Sequence, residues 1–182
     1  MNALDLLVDD VIVREAVRLA EEFVGSYAEL GYGRESDWPV SRAQLKGLLQ
    51  IASNEPEQLV NFADHQAEKA RRGEQSGGRS RRTQPDNPKE AFWKLIKEIV
   101  QGDPQQKKWS LEKLRRQYVP QEFQLVPGET GQAKKEREAK LREWERQWNR
   151  EVFPVFFRTF VNHFLYLMEV RKPGEKSKDK GR

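Results

Sequence analysis

The sequence predicts an all-α protein, a small bundle of about five to six helices. Apolar residues recur at steps of three and four in several segments, which is the period of an amphipathic helix. No stretch alternates apolar and polar residues over the length of a strand. The aromatic residues, 5 Trp, 4 Tyr and 9 Phe, are clustered and supply a core although 34% of the chain is charged. The 182 residues suit one domain, which we place at residues 1–170.

The first helix is predicted from Leu4 to Leu30, where Gly31-Tyr32-Gly33 ends it. It is acidic, because two arginines oppose seven carboxylates over residues 1–30. Its apolar positions follow the helical period: Leu4, Leu7, Val8, Val11, Ile12, Leu19, Ala20, Phe23, Tyr27 and Leu30.

Local signals delimit the next two helices. Ser41 and Gln44 have the spacing of a capping box, so the second helix begins at Ser41. Asn54-Glu55-Pro56-Glu57 predicts a break followed by a new helix start. The apolar residues of the third helix are Leu59, Val60, Phe62, Ala63 and Ala67.

Residues 73–87 show no apolar periodicity and are rich in Gly, Ser, Gln and Arg, which predicts a flexible loop. Asn87-Pro88 caps the fourth helix, predicted from Lys89 to Val100. Gly102-Asp103-Pro104 then ends that helix.

The last third of the chain begins with a short helix that Ser110 caps or joins and that runs to Tyr118. A long helical pattern starts at Ala133, thinly apolar at first and apolar nearly all round later. Pro154 either kinks this helix or starts a new one. Residues 171–182 are polar and basic, which predicts a disordered tail.

The sequence offers little for catalysis. It contains no Cys, which excludes disulfides, thiol chemistry and Cys-based zinc sites. Its two histidines, His65 and His163, stand in no metal-ligand spacing, and no Gly-rich phosphate loop follows a strand. We therefore predict no catalytic residue, no metal and no cofactor, and we interpret His163 as a core or interface histidine.

The chain shows no sign of membrane insertion or export. Acidic residues stand near its start where a signal peptide would carry basic ones. Its longest apolar stretch, residues 152–170, is interrupted by polar side chains. We expect a cytoplasmic protein that does not contact a membrane.

Positive charge is segregated along the chain. Basic residues outnumber acidic ones six to one over residues 69–82, five to one over 105–119 and six to two over 171–182. Such patches attract phosphate backbones through counterion release. The alternative is a plain solvated surface. Trp109 and Tyr118 flank basic residues and could stack on bases, or they could belong to the core.

Two segments carry a resemblance to a known family. Ser41-Arg42-Ala43-Gln44-Leu45-Lys46-Gly47-Leu48-Leu49 resembles a helix start in the small subunit of type III CRISPR effector complexes of the Csm type, with Lys46 where the family usually has Arg. Residues 156–169, FFRTFVNHFLYLME, are similar to the family's aromatic C-terminal helix. Between them, Leu59 to Arg72 matches a short helix with a basic end.

The resemblance implies a helical bundle without an active site. Such subunits stack, copy upon copy, along the duplex of guide RNA and target RNA, and contact a large polymerase-like subunit and the backbone subunits. Carried over by position, the RNA-binding residues are Arg42, Lys46, Lys69, Arg71 and Arg72. Their contacts would be to the RNA backbone, without base readout.

Two other functions stay open. The chain could be a helical adaptor for protein–protein interaction, with no role in nucleic-acid binding. A small DNA-binding regulator ranks last, because Gly47 falls inside a helix and no recognition helix is evident.

Overall fold

The computed structural model describes residues 8–29, 38–75, 87–102, 109–124 and 128–170, and all regular structure in these ranges is helical. The predicted all-α class is confirmed. The six α-helices are α1 (Val13–Glu29), α2 (Arg42–Asn54), α3 (Leu59–Gln75), α4 (Pro88–Gln101), α5 (Leu111–Gln117) and α6 (Gly131–Val170).

Capping side chains set three of the helix starts, at positions that the sequence indicated. The Ser41 hydroxyl accepts a hydrogen bond from the backbone N–H of Gln44 at the start of α2. Asn87 caps α4 and Ser110 caps α5 in the same way. Pro56 opens a short 3₁₀ turn, Pro56–Gln58, between α2 and α3. These signals are local in sequence, which is why they could be identified without the fold.

Two features of the helices differ from the prediction. Val8–Ile12 forms a π-helical turn before α1, where an α-helix was expected. Helix α3 continues to Gln75, so residues 73–75 of the loop predicted at 73–87 are helical. Residues 76–86, like the predicted tail at 171–182, lie outside the described residues.

Pro154 neither ends nor divides the last helix. Helix α6 runs unbroken for 40 residues from Gly131 to Val170, with Pro154 inside it. Proline removes one backbone hydrogen bond and crowds the preceding turn. The neighbours Val152, Phe153, Phe156 and Phe157 are buried, and this packing holds the helix together across the proline.

The helices pack on the second half of α6. Helices α1 and α2 both lie against it, and α3 and α4 form a hairpin whose antiparallel order is fixed by two contacts. Asp64 pairs with Lys97 along the hairpin, and the Asn87 side chain donates to the Ala70 carbonyl at the end where α3 leads on to α4.

An aromatic cluster forms the core. Phe92 of α4 lies at its centre, with ring centroids 5.4 Å from both Phe23 and Phe164 and 5.1 Å from Trp93. On α6, Phe160 and Phe164 are fully buried and stack in register. Most aromatic side chains of the described residues therefore belong to the core, and burying several large rings compensates for the low apolar content.

Within the described ranges, no helix combines the length and apolarity that a membrane span requires.

Candidate nucleic-acid interface

The start of α2 and the end of α3 lie at the same end of the bundle. The Gln44 side-chain amide donates to the Gln66 side-chain oxygen at 3.0 Å, which joins the first turn of α2 to the middle of α3. Further along α2, Gly47 leaves room for the Phe62 ring of α3. The two helices are therefore antiparallel neighbours, the arrangement under which the predicted RNA-binding residues share one end of the molecule.

A complete capping box fixes the start of α2. The Ser41 hydroxyl accepts from the Gln44 N–H at 3.2 Å, and the Gln44 side-chain oxygen accepts from the Ser41 N–H at 2.9 Å. These reciprocal bonds hold the first turn of the helix and so place Arg42.

Arg42 has two neighbours in the folded chain. Its guanidinium lies over the Trp38 ring, 5.9 Å from the centroid. It also pairs with Glu169 near the end of α6 at 3.1 Å, with the two side chains 65% and 52% exposed. An ion pair this exposed contributes only about 0–1 kcal/mol, so Arg42 can exchange this partner.

The other four predicted residues are exposed on α2 and α3. Arg72 pairs with Glu68 one turn earlier. Lys46, Lys69 and Arg71 form no ion pair with any described residue, and their charges are therefore available to a ligand.

The five residues share one end of the bundle but not one face. Arg42 and Lys46 are four residues apart and lie on the same side of α2. Lys69 and Arg72 are three apart and share a side of α3. Arg71 is two residues from Lys69, so at about 100° per residue it points to a different side of the helix.

A surface pocket of about 330 Å³ adds a residue that the sequence did not identify. It lies between the chain from Trp38 to Gln44 and Lys89 of α4. Lys89 is exposed and forms no ion pair with a described residue. The Asn87-Pro88 cap predicts that Lys89 lies in the first turn of α4, but only the folded hairpin brings that turn beside Arg42.

In the second basic stretch, residues 105–119, Arg115 contacts side chains of α6. Arg115 donates to Asn149 at 3.2 Å and lies 3.6 Å from Glu145, both on α6. Trp109 stacks on Phe156 with ring centroids 5.5 Å apart, which favours its interpretation as a core residue over base stacking. Lys107 and Lys108 lie outside the described residues.

Helix α1, which is acidic, packs along α6. Hydrogen bonds from Arg18 to Glu15 and Glu22, foremost to Glu15, hold the pKa of that guanidinium above its ordinary value. His163 lies 3.3 Å from Glu21, so it joins α6 to α1 at an interface, as its position in an apolar helix had suggested.

The described residues contain no group of three or more His, Cys, Asp or Glu side chains that could hold a metal ion. His65 is exposed, and its neighbour Asp64 is engaged with Lys97 at 2.9 Å.

Comparisons of the chain with protein-family models, with curated proteins and with solved structures find no match.

Proposed function

We propose that this protein is a non-catalytic RNA-binding subunit of a type III CRISPR effector complex. In this role it stacks along the duplex of guide RNA and target RNA and contacts the RNA backbone. The observation that carries the proposal is the set of exposed cations without a carboxylate partner, Lys46, Lys69 and Arg71, at the end of the bundle where α2 begins and α3 ends.

The chemistry of this end favours phosphate over bases. Lysine and arginine on helix surfaces neutralise phosphates and release counterions, irrespective of sequence. Trp38, the aromatic residue in contact with Arg42, is only 7% exposed and is covered by that guanidinium, so its ring offers no free face for stacking. In a guide-RNA complex this suffices, because base pairing reads the sequence and protein reads the backbone.

The charge distribution also supports the proposed partners. An acidic α1 and a basic end at α2 and α3 are complementary surfaces, which a head-to-tail stack of copies can use. The large polymerase-like subunit and the backbone subunits enter the proposal through the resemblance of residues 41–49 and 156–169 to the Csm-type small subunit.

Salt titration of RNA affinity tests the proposal. The test variant replaces Arg42, Lys46, Lys69, Arg71 and Arg72 with Ala. The control variant removes the same charge from exposed cations on the first half of α6: Lys134, Lys135, Lys140, Arg142 and Arg146. If each of the three unpaired cations neutralises one phosphate, the slope of log K against log salt falls by at least about 2 in the test variant.

Equal slopes for the test variant, the control variant and the wild type would show that this end of the bundle does not bind the RNA backbone. Membership of the complex needs a second measurement, in which the tagged protein is purified from its host and the bound RNA is sequenced. Guide RNAs carrying CRISPR repeat sequence are expected, and their absence would contradict the proposed complex.

A helical adaptor is the second candidate, and one surface favours it. Tyr166 and Val170 are 59% and 62% exposed and lie one turn apart on α6, where they form an apolar spot suited to a protein partner. Under this function, Tyr166→Ser would abolish partner binding, and the five-residue Ala variant would leave partner binding unchanged.

A further inference from the structure

The pocket beside Arg42 contains the donors that a phosphate group requires. Its wall runs from Trp38 to Gln44, and Lys89 of α4 lines it from a different part of the chain. Arg42 and Lys89 thus place two positive charges at one concavity, although they are 47 positions apart in sequence. Long-range convergence of two cations on a pocket is a feature of anion sites that a generally charged surface lacks.

The hydrogen-bonding capacity of these residues is only partly used. Arg42 has five N–H donors, and its ion pair with Glu169 engages one terminal nitrogen. The Ser41 oxygen accepts from the Gln44 N–H, which leaves the hydroxyl proton free to donate. Lys89 brings three ammonium protons and no carboxylate partner among the described residues.

The size of the pocket also suits this ligand. A phosphate group occupies roughly the space of two to three water molecules, at about 30 Å³ each. The volume of about 330 Å³ therefore exceeds the space that one phosphate group occupies.

We propose that this pocket binds one phosphate group of the RNA backbone, held by Arg42, Lys89 and the Ser41 hydroxyl. The proposal rests on the proposed RNA-binding function and assigns to it a site and a residue, Lys89, that the sequence did not indicate. Glu169 acts as an internal competitor, because the phosphate takes its place on the Arg42 guanidinium.

The test measures binding of a 24-base-pair RNA duplex by fluorescence anisotropy between 50 and 200 mM salt. Lys89→Gln is expected to weaken binding about three- to fivefold, with a salt slope smaller by about 0.7–0.9. Lys140→Gln is the control, since it removes the same charge from an exposed site on α6. Lys140 is 29 residues from Glu169, about 44 Å along the helix axis, well beyond the Debye length of about 10 Å.

Glu169→Gln changes affinity in the opposite direction. It frees Arg42 and removes a negative charge beside the phosphate, so binding tightens about two- to fivefold. Unchanged or weaker binding by Glu169→Gln overturns the competitor role. All of these side chains are exposed, and thermal melting by circular dichroism verifies that each variant is folded.

The remaining outcomes separate this inference from the function on which it rests. If the wild type binds RNA and Lys89→Gln behaves like Lys140→Gln, the pocket is overturned and the RNA-binding function stands. If the wild type binds no RNA, both are overturned. A parallel NMR titration with inorganic phosphate tests whether the pocket binds free phosphate. If the Ser41 and Lys89 amide signals shift in a protein that binds no RNA, the pocket is a free-phosphate site, and RNA is overturned as the source of the phosphate group.

Discussion

The side chains of Phe160 and Phe164 have no exposed surface. Their rings stack 6.4 Å apart on one side of α6, and both contact Phe92 of α4. Each therefore links two helices, and the loss of either ring leaves a cavity that rigid neighbours do not refill.

Phe160→Ala is expected to destabilise the protein by about 3–5 kcal/mol. For a chain of this size, that corresponds to a fall in Tm of roughly 6–20 °C. Thermal melting by circular dichroism measures the fall, and Tyr166→Ala, at a residue 59% exposed, is the control. An unchanged Tm for Phe160→Ala would place that ring outside the core.

Two glycines should respond to alanine in opposite ways. Gly102 ends α4 with a φ of +79°, and a Cβ there would lie 2.9 Å from the Ser110 hydroxyl oxygen. Gly25 lies inside α1 with nothing within 4 Å of the added carbon. Gly102→Ala is expected to cost about 1–3 kcal/mol, and Gly25→Ala to stabilise by about 0.5–1 kcal/mol.

Urea unfolding measures both changes. The opposite signs are the diagnostic result, because the two substitutions are chemically identical and differ only in backbone conformation and surroundings. If Gly102→Ala stabilised the protein, this result would contradict the positive φ of Gly102 at the end of α4.

At the level of the helix, what could be predicted depended on how far apart the interacting residues are in sequence. The caps at Ser41, Asn87 and Ser110 involve partners two or three residues away, so residue type and spacing sufficed. The pairing of Arg42 with Glu169 joins residues 127 positions apart and follows only from the packing of α2 on α6.

The residues of the candidate site also divide into those that the sequence predicts and those that only the fold brings together. Five basic positions could be named from charge and resemblance, and the antiparallel packing of α2 and α3 brings them to one end of the bundle. The different side taken by Arg71 follows from its spacing of two residues from Lys69 on a helix. The position of Lys89 beside Arg42 depends on the α3–α4 hairpin and is not encoded in a local pattern.

A largely buried ion pair lies at the start of α6. Arg137 contacts Glu129 at 3.0 Å and also donates to the Phe123 carbonyl, and the two charged side chains are only 10% and 13% exposed. This pair fastens the segment before α6 to the helix. Removal of the carboxylate leaves the Arg137 charge poorly compensated in a confined place.

Glu129→Gln is expected to weaken this local structure by about 1–3 kcal/mol. Amide hydrogen exchange over residues 131–140 should then be roughly 5- to 150-fold faster. Glu143→Gln is the control, because the exposed pair of Glu143 with Arg146 contributes about 0–1 kcal/mol. Equal exchange in the two variants would show that Glu129 does not hold the segment.

For the whole molecule, the separation of charge predicts salt-sensitive self-association. Copies that meet with α1 against the basic end attract each other, and the Debye length falls from about 10 Å at 0.1 M salt to about 3 Å at 1 M. Sedimentation at 0.1 M salt should show species larger than the 21.4 kDa monomer, and these should dissociate at 1 M.

Neutralising α1 provides the matched variant. Asp10→Asn, in the π-helical turn before α1, together with Glu22→Gln in α1 should shift the equilibrium toward monomer at 0.1 M salt. Glu136→Gln with Glu143→Gln, which removes the same charge from α6, should not. A monomer at every concentration and salt would exclude charge-driven stacking of the protein alone.

Because α6 is unbroken, it also sets a fixed distance between its two ends. Its 40 residues span about 60 Å at about 1.5 Å per residue, and the other helices pack mainly on the half that follows Trp148. A molecule that gripped the Gly131 end would be held at a separation from the Arg42 pocket set by the number of residues in between. Seven residues inserted within the first half would lengthen that separation by about 10 Å with little rotation of the tip, whereas five would turn it by about 140°. Length and rotational phase of the helix can thus be varied independently while the core stays unchanged.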